Sequence, residues 1–325
     1  MTEERTMTAA VLREPGRLSI ERVPVPEPAE NEVLIRVRIN TLCSATDSEV
    51  IAGIRKEGMN SILGHEMAGT VERTGSRVTR FAPGDRVTID AWGSYAGYVC
   101  VPEDRVLPVP EALTWEEASL GELTYKVTHM ALGRIVPGDT AVVLGQGPAG
   151  LLYTQFCRLS GASRVVVTDP SPMKRKLALE LGADEALDPA CEDLPGQVMA
   201  ATGGRGGDVV IEASGRAAAA ELAPRVTRPY GATIIQFGVV AEPVRYVFMR
   251  MHDKGHTLLS YGSFKDRTDR FSFERALQLL AERRIRVDRF ITHTYPLSEI
   301  NEAFETYARD INHVIKVRIT SEEEG

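Results

Sequence analysis

Four residues in the middle of the chain, Gly145, Gly147, Gly150 and Asp169, have the types and spacing that bind a dinucleotide. The glycines read G-x-G-x-x-G, with Gln146, Pro148 and Ala149 between them. At that spacing Gly145 permits a tight turn, Gly147 lets backbone approach a pyrophosphate, and Gly150 lets a helix pack on a strand. The pyrophosphate would rest on the helix start that Pro148 and Ala149 open, where N–H groups are free. Asp169 follows Gly150 by 19 residues. Its carboxylate would accept hydrogen bonds from ribose hydroxyls, which favours NAD and repels the extra phosphate of NADP. Lys174 and Arg175 stand just behind it and offer two readings: acceptors of a 2′-phosphate, or a solvated first helical turn.

These residues work only if strands and a helix hold them, and the flanking sequence supplies both. Ala141–Leu144 is apolar throughout, as a strand buried on both faces should be. Leu151–Leu159 carries helix formers, and Gly161 can close that helix at its C′ position. Arg164–Thr168 is a second, β-branched strand that ends on Asp169. A G-x-G-x-x-G framed by strand, helix, strand and terminal acid is far more specific than the bare motif. Downstream, Asp208–Glu212 and Gly231–Phe237 read as further strands on either side of an Ala-rich helix, Arg216–Val226. Ligands of doubly wound parallel sheets bind at the carboxyl ends of strands, so Ser214, Gly215 and Gly238 should line the cofactor cleft.

The chain of 325 residues, 43% hydrophobic, has room for two domains. Its net charge of −7 leaves no basic footprint for nucleic acid. No apolar run is long enough to span a membrane, and the first residues lack the apolar stretch of a signal peptide. Cys43, Cys100, Cys157 and Cys191 are scattered, as expected of a reducing cytoplasm rather than a disulfide framework. The acidic end, Ser321–Gly325, is expected to fray. Residues 7 to about 110 read as β-rich, with short runs at Val33–Val37, Thr70–Glu72, Arg86–Ile89 and Tyr98–Val101 punctuated by Pro and Gly. That predicts a separate barrel-like unit. After about Phe264, the helical patterns Phe271–Arg283 and Leu297–Ala308 and the strand-like Phe290–Tyr295 and Val314–Ile319 have the wrong lengths for another βαβ pair. They are expected to return and complete the first domain.

Gly64-His65-Glu66-x-x-Gly69-x-Val71 followed by Gly84-Asp85-Arg86-Val87 resembles the GHExxGxV…GDRV signature of the medium-chain dehydrogenase/reductase superfamily. Gly207–Gly215 and Ile291-Thr292-His293…Leu297-x-x-Ile300-Asn301-x-Ala303-Phe304 resemble that family's later segments. The resemblance covers nearly the whole chain and implies an α/β protein. A GroES-like catalytic domain would comprise residues 1–122 and 265–325, with a Rossmann domain at 123–264. It also implies a homo-oligomer, a dimer or tetramer, acting on a small-molecule alcohol or carbonyl.

In the zinc-bearing branch of that family the catalytic metal is held by a Cys, the His of GHE, and a later Cys, Asp or Glu. The Glu after the His is an exchangeable ligand. The resemblance carries these roles to Cys43, His65, Glu122 and Glu66. Cys43 matches counting forward from Val37, whereas counting back from Gly53 and Asp47 points to Ser44, because the loop is one residue longer than usual. Zinc of this kind acts as a Lewis acid on an alcohol oxygen while hydride passes to nicotinamide. The family's proton relay falls on Thr46 and Glu49, with Glu49 standing where a His is usual. The four-cysteine lobe that follows GDRV in many members is missing, so one catalytic zinc and no structural zinc is expected.

The bland readings are a buried hydrophobe for Cys43 and a loop-holding pair for His65 and Glu66. For Glu122 the bland reading is a helix N-terminal acid. Lys126 is left without a firm role. His129 and His293 read as structural, Lys316 as a reach to cofactor phosphates or a solvated strand face, and Trp92, Tyr95 and Tyr125 as pocket or core. The resulting expectation is an NAD-dependent zinc alcohol dehydrogenase oxidising a secondary alcohol of polyol, sugar or cyclitol type. A zinc-free NAD(P)H quinone or enone reductase is the alternative.

Overall fold

The structure, a computed structural model, describes residues 5–55, 58–261 and 268–321. Phe264 and the acidic end beyond Ser321 lie outside those residues. The chain separates into two compact units, Met1–Lys126 with Phe264–Arg283 and Val287–Gly325, and Val127–Ser263 with Arg284–Arg286.

The first unit opens with an antiparallel hairpin, β1 (Thr6–Glu14) and β2 (Arg17–Pro24). There follow β3 (Glu32–Thr41), α1 (Thr46–Ile51), β4 (Glu66–Thr74), β5 (Arg86–Ile89), β6 (Tyr98–Pro102), β7 (Val106–Pro108), α2 (Trp115–Ser119) and α3 (Gly121–Ala131). The second unit holds β8 (Thr140–Leu144), α4 (Pro148–Leu159), β9 (Arg164–Thr168), α5 (Pro172–Glu180), β10 (Glu185–Leu187) and α6 (Leu194–Ala201). It continues with β11 (Val209–Glu212), α7 (Ala217–Leu222), β12 (Thr233–Gln236), α8 (Phe248–Lys254) and β13 (Thr257–Ser260). The chain then returns to the first unit with α9 (Arg270–Ala281), β14 (Ile291–Pro296), α10 (Ile300–Arg309) and β15 (Lys316–Thr320).

Seven strands of the first unit form one sheet in the order β14-β15-β3-β4-β5-β7, with β6 also on β3. The ten residues of β3 serve two partners on one side: β6 covers Glu32–Arg36 and β15 covers Ile39–Thr41. Val33, Ile35, Val37, Met67, Val87 and Ile89 fill the space on one face of this sheet and are all buried. Register does the rest. Thr41 pairs with Glu66 on β4 and with Arg318 on β15. Cys43, His65 and Lys316 each lie one or two residues from one of those partners, so three distant stretches of sequence meet at one end of the sheet.

The second unit is a six-stranded, wholly parallel sheet in the order β10-β9-β8-β11-β12-β13. Chain order reverses between β8 and β11, the crevice where doubly wound sheets bind ligands. Val142, Leu144, Val210 and Ile234 are buried completely, as strands covered by helices on both faces require. Two strands have no counterpart in the sequence reading. β10 is three half-buried residues with no apolar run, and β13 is a four-residue edge strand with mostly exposed side chains.

The first unit runs to Lys126 rather than 122, and residues 284–286 join the second, for local reasons, while the expected 264/265 boundary lies outside the described residues. Tyr125 stacks on Phe273 of α9, ring centroids 4.7 Å apart and planes 9° from parallel, and Lys126 pairs with Asp90 at 2.8 Å. These contacts keep the first turns of α3 with the first unit. Residues 284–286 go with the second because the Gln155 side chain both accepts from and donates to the backbone of Arg286.

Candidate active site

In the first unit Cys43 Sγ, a ring nitrogen of His65 and a carboxylate oxygen of Glu66 all lie within 4.8 Å of one another. Cys43 comes from the turn after β3, and His65 and Glu66 from the start of β4. Ser44, the rival for the first position, is not among these donors and lies close enough to the Tyr307 hydroxyl to oppose the rise that burial imposes on its pKa.

His65 and Glu66 are both gripped from behind. His65 Nδ1 is 3.3 Å from Asp47 Oδ1, and Asp47 is fully buried and accepts the Tyr95 hydroxyl through its other oxygen. His65 Nδ1 and Asp47 Oδ1 are both buried atoms without a well-formed hydrogen bond. The Trp92 ring lies 4.6 Å from the imidazole and is half exposed. Burial alone would lower the His65 pKa, but Asp47 and Cys43 outweigh it and raise the value well above that of an ordinary histidine.

Glu66 is buried and holds the ammonium of Lys316 (2.6 Å to Oε1) and the hydroxyl of Thr41 (2.7 Å to Oε2). Lys316 Nζ also donates to Leu42 O at 2.9 Å. Burial would lower the Lys316 pKa, yet Glu66 and Cys43 hold it above the usual lysine value. Lys316 therefore neither reaches for phosphates nor faces solvent. It is 3% exposed, and its alternate position in β15 points it at Glu66.

Glu122 is buried near the start of α3 and shares Lys126, at 3.5 Å, with Asp90, at 2.8 Å. Burial raises its pKa, with Lys126 and His65 opposing. Thr46 opens α1, and Glu49 on the same helix is held by Arg55 at 2.6 Å. Tyr95 and Tyr125 are core residues, fully buried. His293 hydrogen-bonds Thr292 at 3.0 Å, and His129 is half-buried on α3.

In the second unit the glycine positions have separate physical causes. Gly145 has φ +92°, and a Cβ there would meet Ser214 at 2.6 Å. A Cβ on Gly150 would sit 1.9 Å from Gly145 O, so only glycine lets α4 start this close to β8. A Cβ on Gly147 would meet nothing within 4 Å, and Gly147 caps α4 with no side-chain hydrogen bond. That open N-terminus, with Pro148 first in the helix and Ala149 next, suits an anion. Asp169 is 6% exposed; its Oδ2 accepts from Gln146 N at 2.7 Å and its Oδ1 from Ser171 N at 2.8 Å. Each oxygen keeps a lone pair for a further donor.

Arg175 is spent on Asp169 O (2.7 Å) and Asp188 (2.9 Å). Lys174 is buried rather than solvated; burial lowers its pKa and Asp169 opposes the shift. Ser214 and Gly215 form the turn after β11, and Gly238 lies just past β12. Sequence reasoning assigned no role to the residues that hold the donors: Thr41, Asp47, Asp90 and Lys126 beside them, and Glu212 at the end of β11. For Thr41 and Glu212 the available signal was a polar or charged residue on a strand, whose facing only a known register can reveal; Asp47 and Lys126 lie on helices and Asp90 just past β5, where no strand pattern marks them.

Residues 29–111 match the alcohol dehydrogenase GroES-like domain, and residues 148–282 match the zinc-binding dehydrogenase family. The chain is 30% identical to an alcohol dehydrogenase of Cupriavidus necator, over 96% of this chain and 98% of that protein. It is 26% identical to a sorbitol dehydrogenase of Bacillus subtilis, over 98% of both. A solved structure of a putative zinc-binding dehydrogenase from Sinorhizobium meliloti bound to NADP superposes with a TM-score of 0.85 at 28% identity, covering 98% of this chain and all of that one.

The chain belongs to the medium-chain dehydrogenase/reductase superfamily, in its zinc-type alcohol dehydrogenase branch. It is an oxidoreductase of the class that acts on CH–OH groups of small molecules. Among the described residues no helix is long and apolar enough to cross a membrane.

Proposed function

We propose that this protein is an NAD-dependent, zinc-using alcohol dehydrogenase that oxidises a secondary alcohol on a polyol, sugar or cyclitol-like substrate. The observation that carries the reading is the grouping of Cys43, His65 and Glu66 donor atoms within 4.8 Å of one another. A thiolate, an imidazole and a carboxylate are the donor set that suits zinc. Cys43 and His65 would hold the ion. The remaining place falls to Glu66, leaving Lys316, or to Glu122, leaving Lys126. Bound zinc would supply a Lewis acid for the substrate oxygen, and the dinucleotide a hydride acceptor.

The chain's own residues do the positioning. Asp47 faces His65 Nδ1, which fixes the ring and leaves Nε2 as the available nitrogen. Trp92, half exposed against the imidazole, offers an apolar wall to substrate C–H groups. Thr46 and Glu49 are the residues for passing the alcohol proton outward, with Arg55 holding the Glu49 carboxylate at 2.6 Å. Asp169 supports NAD through the ribose hydroxyls. Lys174, buried near that carboxylate, is the group through which a 2′-phosphate would be accommodated, and the NADP-bound relative keeps that comparison open to measurement. A cytoplasmic homodimer or homotetramer completes the proposal.

Metal analysis of the purified protein is the direct test. About one zinc per chain, with alcohol oxidation lost on chelation and restored by zinc, is the expected result. Undiminished reduction of quinones or enones by a metal-free preparation would replace this reading with that of a zinc-free reductase.

A further inference from the structure

One buried carboxylate in the second unit has no part in the chemistry above yet reaches three elements that line the cofactor crevice. Glu212 is the last residue of β11 and is completely buried. Its Oε1 accepts from Ser214 N at 2.7 Å, from the Ser214 hydroxyl, and from Gly215 N at 3.1 Å. Its Oε2 accepts from Gln236 Nε2 at 2.6 Å, and the same nitrogen donates to Gly238 O at 2.9 Å. The Glu212 carbonyl accepts from both Phe237 N and Gly238 N at 2.9 Å.

The parts so joined leave no slack. A Cβ on Gly238 would lie 2.3 Å from Gly215 N and 2.4 Å from Glu212 Oε2, and one on Gly215 would lie 2.7 Å from Val239 O. Ser214 in turn packs against Gly145. The turn after β11 and the tip after β12 are thus fastened to each other through a single anion.

We infer that Glu212 is the positioning residue that sets the nicotinamide half of the cofactor crevice, and that it does so without touching the adenosine half. The inference rests on the proposed use of a dinucleotide. Strand order supplies the division of labour. Asp169 follows β9, the glycine loop follows β8, and Ser214 and Gly238 follow β11 and β12 in turn across the sheet. A dinucleotide with its adenosine ribose at Asp169 and its pyrophosphate at Gly147 must lay its other half along β11 and β12.

The carboxylate is required in its charged form because it serves only donors. Burial pushes its pKa up, against the pull of the Ser214, Gln236 and Gly215 donors. The amide of a glutamine has one accepting oxygen. If that oxygen keeps Ser214 and Gly215, the amide nitrogen faces Gln236, whose side chain must turn over and release Gly238 O.

The test compares two ligands on the full-length protein. In Glu212→Gln, NADH affinity should fall about tenfold, the lower end of the range for one hydrogen bond to a charged group. Affinity for 5′-AMP, which has no nicotinamide half, should stay within about twofold of the parent. Ser214→Ala should show a smaller NADH loss, and Ser214→Ala added to Glu212→Gln should cost less than the sum of the two, because both act through one bond. Equal losses for NADH and 5′-AMP would overturn the inference and make Glu212 a general fold residue, as would an unchanged NADH affinity. Should Glu212→Gln not fold, the same two-ligand comparison on Ser214→Ala and Gln236→Leu decides. A parent protein that binds 5′-AMP but neither NADH nor NADPH would instead defeat the dinucleotide reading itself.

Discussion

The two candidate sites are built on opposite plans. The glycine loop of the second unit is contiguous in sequence, is made mostly of backbone, and depends on side chains that are absent. The donor cluster of the first unit gathers residues from β3, β4, α1, α3 and β15 and depends on buried charges neutralising one another. Lys316 sits against Glu66 from 250 residues away, whereas every glycine of the loop lies within six positions of the next. A backbone site is made by what the residues cannot obstruct; a charge site is made by what each group must not be left without. The first kind tolerates changes around it and fails on one added methyl. The second fails when any partner is removed and recovers when both are.

The sharpest way to break this contrast is Lys316→Met. It leaves Glu66 buried with only the Thr41 hydroxyl for a partner, and breaking a buried pair from one side costs about 3–5 kcal/mol. Denaturant unfolding in the presence of a chelator should show that loss, so that a bound metal does not mask it. Lys316→Met with Glu66→Gln should recover most of it. A Lys316→Met protein as stable as the parent would mean that the pair is solvated in solution and that the site is not organised by charge.

Next in size is Gly145→Ala. The new Cβ would need φ +92° and would stand 2.6 Å from Ser214 Cβ. Left-handed strain and crowding together should cost about 2–4 kcal/mol in unfolding free energy. Here a second substitution should not rescue. Ser214→Gly would remove the nearest contact but would leave the backbone Cα and N of residue 214 at 2.8 and 2.9 Å, and the backbone strain with them. Full recovery in the double variant would show that the turn is side-chain limited, contrary to the backbone plan.

The contrast also accounts for what the sequence could reveal. The strand–loop–helix–strand from Thr140 to Asp169 was legible nearly residue by residue, because turn, helix start and terminal acid are local events. Arg164–Thr168 and Arg86–Ile89 form strands with the bounds read from their β-branched runs. β10 and β13 were not legible, since three half-buried residues and a short exposed edge carry no period to detect. His65 and Cys43 were legible only through the family resemblance. Their supports were not legible at all. Lys316 reads as a reach to cofactor phosphates or a solvated strand face until β15 is known to pair with β3 at Thr41, and Asp47 serves only as a counting landmark until Tyr95 is seen to reach it. Register decided the first and tertiary packing of α1 the second, and local pattern fixes neither.

A smaller effect is expected from Asp169→Ser, which probes the one side chain on which the backbone site leans. The carboxylate already serves Gln146 N and Ser171 N, and its spare acceptor capacity is what the ribose hydroxyls would use. NAD affinity should fall by about 1.5–3 kcal/mol, the range for hydrogen bonds to a charged group, with NADP affinity falling much less. Parallel isothermal titrations with the two cofactors would show it. Equal losses would mean that the acid serves only to shape the loop.

The finest discrimination comes from two buried threonines, one in each site. The Thr41 hydroxyl donates to the Glu66 carboxylate at 2.7 Å. That of Thr154 lies 2.8 Å from the neutral Gln146 Oε1 and 3.0 Å from Gly150 O of its own helix. Valine replaces either with nearly the same shape and removes only the donor. Thr41→Val withdraws a hydrogen bond from a charge that Lys316 alone must then satisfy, worth about 1.5–3 kcal/mol. Thr154→Val withdraws a neutral bond of about 0.5–1.5 kcal/mol, and part of that returns because back-bonding to a helix carbonyl strains the helix slightly. Paired chemical denaturation curves should therefore rank Thr41→Val as the more damaging. In the Lys316→Met, Glu66→Gln background, where the charge is gone, the two threonines should become equivalent. If Thr41→Val remains costlier there, its role is packing, and the distinction between a site held by charge and a site held by backbone does not extend to the residues around it.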